Sequence, residues 1–166
     1  MTIDQSKLEQ EYRGLLKPLR FRLFTLISMP SAAFVGLKVD EVSEESCQIS
    51  VKGGWRSQNP FKTMYWAAQG MAAELATGAT PFAISRAYSG KIRMFVIGTD
   101  VKFVKRAKGR IKFICEDAGK AKAAIEESEI SGDSINCIMH TKGIDSEGDV
   151  VSDWKFEWNF LAIRGD

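Results

Sequence analysis

Cysteine and histidine are scarce in this sequence, which has only three cysteines and one histidine, His140. The cysteines lie far apart and form no Cys-x-x-Cys pair, so the ligand spacing of a zinc site is missing, and we expect neither a metal nor another cofactor. Each cysteine stands in an alternating apolar pattern, which predicts buried free thiols in a reducing compartment. The three are Cys47, Cys115 and Cys137.

Long apolar runs are also missing. No stretch approaches the roughly 18 to 20 apolar residues that cross a bilayer, so we expect no membrane span. The early run from Leu23 to Met29 is too short for a secretory signal, which favours the cytoplasm. Phosphate-binding loops of the types G-x-x-x-x-G-K-[ST] and G-x-G-x-x-G do not occur. The net charge of +2 is too small to indicate a nucleic-acid partner.

A serine-esterase site has little support. The sequence Gly132-Asp133-Ser134 precedes a predicted strand late in the chain, and only His140, six residues further along that strand, could act as the base. A triad also needs a third group that orients the base, so we interpret His140 as a strand residue with local partners.

The composition that remains is typical of one globular domain, with 45% apolar and 27% charged residues. We predict a single domain over residues 1–166, with an N-terminal helical extension at about 4–28 that Pro18 kinks or splits. The basic side of this extension has two interpretations: a helix that contacts a membrane surface or a partner, or the solvated face of a packed helix. The basic residues are Arg13, Lys17, Arg20 and Arg22, and the acidic residues earlier in the extension, Asp4, Glu9 and Glu11, favour the solvated face.

The stretch from Asn59 to Gly78 is predicted to be the central helix. Asn59 suits the N-cap, Pro60 the first helical position and Gly78 the left-handed end. Its helical apolar stripe comprises Phe61, Met64, Tyr65, Ala68, Met71, Ala72, Leu75 and Ala76. Because Lys62 and Glu74 are the only charges within it, we expect a helix buried on nearly all sides. Glu74 would then lie at a crowded, partly dry place beside small residues, where a substrate or second subunit fits.

Strand patterns surround this helix. Alternation from Phe34 to Val39 and from Cys47 to Val51 predicts a hairpin before it. After a loop through Thr80-Pro81, alternation predicts four strands joined by hairpins: Ile92–Val104, where Gly98 suggests a bulge or a close backbone contact, Ile111–Cys115, Ile135–Met139 and Trp154–Phe160. Residues 118 to 130 fit either a short helix or an irregular crossover. Four aromatics on one face of the last strand would pack on the central helix, which predicts an α+β fold, an antiparallel β-sheet curled around that helix.

A basic cluster extends from the end of the first of these four strands to the start of the second. It could attract an anionic, nucleotide-bearing thioester, or it could be the solvated face of a hairpin whose lysines protect an edge strand, which we favour. The cluster comprises Lys102, Lys105, Arg106, Lys108, Arg110 and Lys112.

Asn59, Thr63 and the nine-residue step from Tyr65 to Glu74 resemble the helix region of hotdog-fold acyl-thioesterases. The resemblance extends over about residues 34–163 in element order and is closest to the thioesterase-like DUF4442-type branch. Two departures stand out: Tyr65 occupies the position of the family's histidine, and Trp66 and Ala67 occupy those of its two glycines.

The resemblance implies a hotdog fold and hydrolysis of acyl-CoA or acyl-carrier thioesters, without a cofactor. Glu74 would act as general base or nucleophile. Asn59, with Thr63 or Gln58, would orient the water or the substrate. Backbone amides around Tyr65 and Trp66 would bind the thioester carbonyl, and the substrate-binding residues would be Thr63, Tyr65, Trp66 and Gly70.

The same resemblance implies a homodimer or a dimer of dimers, with the acyl tunnel at the subunit interface. Two alternatives remain. A hotdog protein without catalysis could bind an acyl thioester or another apolar ligand, which the missing His-Gly-Gly entrance favours. A dehydratase acting on acyl carriers is less consistent with the sequence, because it usually needs a histidine in this region and His140 is remote.

Overall fold

The computed structural model describes residues 3–165, which form five helices and six strands. The helices are α1 (Gln5–Leu16), α2 (Pro18–Ser28), α3 (Pro30–Val35), α4 (Trp66–Ala87) and α5 (Ala118–Ser131). The strands are β1 (Lys38–Val42), β2 (Cys47–Lys52), β3 (Lys91–Phe103), β4 (Arg110–Cys115), β5 (Ile135–Ile144) and β6 (Val150–Ile163). Within this described part of the chain, no helix is long and apolar enough to cross a membrane.

The N-terminal extension is split at Pro18, as the sequence predicts. Lys17 takes an extended conformation between α1 and α2, because a proline disfavours helical geometry in the residue before it. A third helix, α3, was not predicted, and it ends at Gly36 with φ of +80°. The predicted start of the first strand near Phe34 is therefore wrong, since Phe34 and Val35 belong to α3 and the strand begins at Lys38.

The central helix α4 starts and ends at different residues from those that the sequence predicts. It begins at Trp66, because Asn59 closes a separate turn instead of capping the helix. Asn59 Oδ1 accepts hydrogen bonds from the backbone amides of Phe61 and Thr63 and from the Thr63 hydroxyl, at 3.0–3.1 Å. Pro60 therefore lies in this turn and not at a first helical position.

The helix also continues past Gly78 to Ala87, so the predicted loop through Thr80-Pro81 is wrong. At Gly78 a Cβ atom would lie 3.1 Å from the Trp158 indole, so glycine here permits close packing on β6 and does not end the helix. The second half of α4 is buried almost all round, and this tertiary packing outweighs the cost of Pro81 in the helix.

The six strands form one antiparallel sheet in the order β1-β2-β4-β5-β6-β3. The β1–β2 and β5–β6 hairpins and the bulge at Gly98 are confirmed. Hairpin connections among all four later strands are not found: β3 pairs with β6, and α5 connects β4 to β5. Residues 118–130 are thus helical, and the sheet curls so that β3 lies beside the last strand.

The aromatic face of β6 packs on α4, as predicted, and hydrogen bonds fix their relative position. Trp158 Nε1 donates to Thr77 Oγ1 over 3.0 Å. Trp154 Nε1 donates to Ser152 Oγ over 2.8 Å, and Ser152 Oγ donates to Gln69 Oε1 over 3.1 Å. All these groups are buried, so the two tryptophans set the depth at which α4 lies in the curled sheet. The three cysteines are buried free thiols, as predicted.

Candidate functional site

The central helix α4 has an open half and a covered half. From Trp66 to Leu75, one face remains accessible and carries Trp66, Ala67, Gly70, Met71 and Glu74. From Ala76 to Ala87 nearly every residue is buried, because the N-terminal helices cover this part. The prediction of a helix buried on nearly all sides therefore holds only for the second half. Glu74 lies where the open face meets the covered half.

A cavity of about 490 Å³ begins at this point. It lies between α4, the N-terminal helices and the sheet, and its lining includes Phe24, Met29, Met71, Leu75, Phe82 and Trp158. Among the described residues that form its wall, Glu74 is the only ionisable one. The volume is typical of small-molecule sites, and such an apolar lining suits a hydrocarbon chain.

The Glu74 carboxylate has no hydrogen-bond or ion-pair partner among residues 3–165. In the single chain it is exposed at the cavity mouth. Partial removal of water by the surrounding apolar side chains nevertheless raises its pKa above the usual 4.5. A carboxylate with a raised pKa and no partner can accept a proton from a water near neutral pH.

A second groove, of about 470 Å³, lies at the start of α4 and is lined by Asn59, Thr63, Tyr65 and Trp66. The Asn59 side-chain oxygen is already engaged in its turn. The Tyr65 amide donates to the Ser57 carbonyl over 2.7 Å, which removes it from the predicted carbonyl-binding group. Among residues 3–165 the backbone amides of Trp66 and Ala67 have no hydrogen-bond acceptor, and the helix dipole adds partial positive charge there.

Within one chain the predicted site residues fall into these two places. Trp66 and Glu74 are eight residues apart on one helix, which separates their backbones by about 12 Å. Gly70 lies between them on the open face, with the Trp154 ring beneath it. The chain thus does not bring Glu74 and Asn59 into one pocket.

The basic cluster is divided by its contacts. Lys105 Nζ lies 2.9, 3.0 and 2.6 Å from carboxylates of Asp145, Glu147 and Asp149, which raise its pKa. Arg110 donates to the Ser50 hydroxyl over 3.0 Å. These contacts reduce the charge available to an anionic ligand, and they place the Lys105 ammonium among the three carboxylates.

The sequence did not indicate that the N-terminal extension forms part of the cavity wall. Phe24 and Met29 reach the cavity from α2 and the residue after it. Helical apolar spacing in 4–28 predicted a packed helix, but nothing local to the sequence identifies the surface against which it packs. His140 has a local partner, as expected, since its Nδ1 lies 3.1 Å from Asp117 Oδ2.

The match to a family model now adds to this geometry. Residues 19–160 match the family described as a domain of unknown function, DUF4442. The chain belongs to the DUF4442 family. The match begins inside α2, so this family's model includes two of the segments that wall the cavity, α2 and α3. No curated protein matches the chain at the sequence level.

Solved structures show what fold this DUF4442 chain has. The probable thioesterase PA5026 of Pseudomonas aeruginosa is similar, with a TM-score of 0.73 and 18% identity over 86% of this chain and 93% of that one. Thioesterase HI1161 of Haemophilus influenzae is similar with a TM-score of 0.65 and 8% identity, over 90% of this chain and 93% of that one. A single-site mutant of thioesterase PA1618 of Pseudomonas aeruginosa is similar with a TM-score of 0.64 and 10% identity, over 89% of this chain and 95% of that one. The chain has the hotdog fold, with an α+β arrangement as predicted.

Proposed function

We propose that this protein hydrolyses acyl thioesters, with the acyl chain in the 490 Å³ cavity and Glu74 as the group that activates water. One observation carries the proposal: a carboxylate with no partner in residues 3–165 and a raised pKa lies at the mouth of an otherwise apolar cavity. The names of HI1161 and PA1618, which share the fold, support the same reaction class.

In the proposed reaction, Glu74 takes a proton from water while the water oxygen bonds to the thioester carbonyl carbon. The carbon–sulfur bond then breaks, and the departing thiolate receives the proton from Glu74, which leaves a carboxylic acid and a free thiol. Glu74 could instead attack the carbonyl carbon itself and form an anhydride that water hydrolyses. The first route requires a water that donates a hydrogen bond to this carboxylate and lies next to the carbonyl carbon, and the second requires the carbonyl carbon within bonding reach of the carboxylate oxygen.

Stabilisation of the negative carbonyl oxygen requires donors about 3 Å away from it. The free amides of Trp66 and Ala67 are suitable donors, but they lie about 12 Å along α4 from Glu74 of the same chain. We therefore assign these donors to a second copy of the chain, packed so that the start of its α4 faces Glu74. Asn59 and Thr63 of that copy would shape the entrance, and Gly70 would leave space at the contact.

Two surfaces support a homodimer of this kind. Within residues 3–165, strand β3 has a sheet neighbour on one side only, β6, so its other edge is available for pairing. It also exposes Phe95, Ile97 and Phe103. The open face of α4 at Ala67 and Gly70 consists of small residues, which permit close approach of a partner.

A second candidate function is binding of an acyl thioester without hydrolysis. Tyr65 and Trp66 are both exposed at the start of α4, and their rings are in edge contact at 6.0 Å. Such bulk restricts access to the backbone amides that would stabilise the transition state. This observation favours binding alone, whereas the Glu74 carboxylate, which has no partner among residues 3–165, favours hydrolysis.

The test is hydrolysis of short, long and aromatic acyl-CoA esters, followed through release of the free thiol. We expect turnover of at least one ester and a loss of about a hundredfold or more in kcat for Glu74→Gln, since general bases contribute on that scale. Glu127→Gln, which changes an exposed carboxylate of α5, is the matched control. Acyl-CoA binding without turnover would establish the second function, and an unchanged rate for Glu74→Gln would remove Glu74 from the mechanism.

A further inference from the structure

Helix α2 presents an apolar stripe to solvent. Leu19, Leu23, Leu26 and Ile27 are 82%, 59%, 55% and 77% exposed. Their spacing of i, i+4, i+7 and i+8 places them on one side of the helix. Phe21 and Thr25, on the opposite side, are buried. If this side of the extension were only a solvated face, its exposed residues should be polar. The apolar stripe is therefore not explained by that interpretation.

Basic residues border the stripe. At about 100° per residue, Arg22 lies on one flank and Arg20 on the other, and Lys17 precedes the helix. All three are exposed. Residues 12–39 contain five basic residues and no acidic one. Glu11 lies 3.4 Å from the Arg20 guanidinium, but the Arg20 side chain is still 56% exposed. The surface around the stripe is therefore positively charged.

From this arrangement we propose that α2 docks on a bilayer surface that contains anionic lipids, with its axis in the plane of the membrane. The four apolar side chains enter the boundary between headgroups and acyl chains, and the flanking cations contact lipid phosphates. This is the pattern of an interfacial helix, here held in position by the fold.

The charge pattern around the stripe favours an anionic bilayer over a second copy of the chain as the surface that covers it. If the stripe contacted itself across a two-fold axis, each copy would bring Arg20 and Arg22 towards the same residues of the other. Residues 12–39 offer no carboxylate to pair with them, and Glu11, just before this range, is already engaged by Arg20 of its own chain at 3.4 Å. An anionic bilayer supplies both the apolar phase and the opposite charge.

The docking surface also adjoins the cavity. Phe24 of α2 and Met29 after it line the cavity from the segment whose outer side would touch lipid. Docking would place the cavity wall next to the acyl-chain region of the bilayer. The docking proposal does not depend on hydrolysis, because it concerns only the outer face of α2.

Flotation of the full chain with lipid vesicles tests the proposal. We expect binding to vesicles of equal parts phosphatidylcholine and phosphatidylglycerol, much weaker binding to phosphatidylcholine alone, and weaker binding at higher salt. If the chain floats with neither vesicle, or equally with both, the proposal is wrong.

Surface variants identify the binding face. Leu19→Gln combined with Ile27→Gln should weaken binding at least about tenfold, through lost apolar burial. Lys17→Gln combined with Arg22→Gln should weaken it about fivefold for each charge removed. The controls are Ile130→Gln, which changes an isoleucine of α5 that is 80% exposed, and Lys102→Gln combined with Lys108→Gln.

Circular dichroism would check that the variants remain folded, which we expect because the altered side chains are exposed. Equal effects of the control and stripe variants would overturn the assignment to α2. Sedimentation provides a further check without lipid: if Leu19→Gln with Ile27→Gln lowers the mass of an oligomer, the stripe is covered by another copy and the membrane proposal is wrong.

Discussion

Trp158 donates its indole N–H to Thr77 Oγ1 over 3.0 Å, and the Thr77 hydroxyl donates in turn to the Glu74 carbonyl over 2.8 Å. Strand β6 is thus connected through one hydroxyl to the turn of α4 that carries Glu74. Because Trp158 also lines the cavity, the same ring shapes the apolar chamber and fixes the helix turn at its mouth.

Thr77→Val should destabilise the fold by about 1–3 kcal/mol, because a methyl group replaces the hydroxyl and leaves the buried indole N–H without an acceptor. Urea unfolding measures the change. Thr99→Val is a matched control, since the Thr99 hydroxyl bonds the Lys155 carbonyl at an exposed position of β3, and we expect a change below about 0.5 kcal/mol. Equal losses for the two variants would contradict the importance given to the Trp158 bond.

Two glycines of α4 should respond in opposite ways to alanine. Gly70→Ala should stabilise the chain by about 0.5–1 kcal/mol through helix propensity, because its Cβ would meet Trp154 at an ordinary 3.4 Å. Gly78→Ala should destabilise it, since its Cβ would lie 3.1 Å from Trp158, which is anchored to Thr77. Thermal unfolding of both variants checks the order, and a more stable Gly78→Ala would show that Trp158 can move.

Protonation of Glu74 should favour the folded state. Its pKa is near 4.5 in the unfolded chain and is raised in the folded chain because burial disfavours the ionised form. Below the unfolded-state pKa, Glu74 is protonated in both states and does not lower the stability of the fold. As the pH rises through the raised folded-state pKa, the folded chain loses stability relative to the unfolded chain. Glu74→Gln should be more stable than the original chain at neutral pH, by roughly 0.5 kcal/mol since solvent screens the exposed carboxylate, and equal to it below about pH 4.

Thermal unfolding between about pH 3 and pH 8, a range that includes the ordinary glutamate pKa, measures the stability difference between Glu74→Gln and the original chain. Glu127→Gln serves as the comparison, because that carboxylate is exposed on α5. A Glu74→Gln variant that is less stable at neutral pH would mean that Glu74 has a favourable partner, such as a group of a second subunit.

Strands and pairings differ in how far the sequence could predict them. Alternation located β2, β3 and β6, and Gly98 marked the bulge, because both signals are local. The pairing of β3 with β6 joins residues that are 49 to 72 positions apart in the sequence, from Phe103 and Ser152 to Lys91 and Ile163, and the sequence of neither strand indicates its partner. The predicted hairpin connections from β3 to β4 and from β4 to β5 were wrong for this reason, whereas the β5–β6 hairpin, which a local turn closes, was confirmed.

The ends of α4 were wrong for a related reason. Asn59, Pro60 and Gly78 are good local signals for helix ends, yet a side-chain turn engages Asn59 and the Trp158 indole covers Gly78. Glu74 was selected from its isolation among apolar residues, and the structure places it at a cavity. The far wall of that cavity comes from α2 and α3, whose positions depend on tertiary packing.

Assembly into a dimer through the open face of α4 should be required for activity, because the proposed carbonyl donors and Glu74 are about 12 Å apart in one chain. Sedimentation should give a mass of twice 18.5 kDa or a higher multiple. Ala67→Arg should yield a folded monomer without thioesterase activity, since a long charged side chain fits into solvent but not into a close subunit contact. Ser131→Arg, at an exposed end of α5, should leave both mass and rate unchanged. An active Ala67→Arg monomer would show that one chain holds a complete site, and the carbonyl donors would then have to be sought near Glu74 itself.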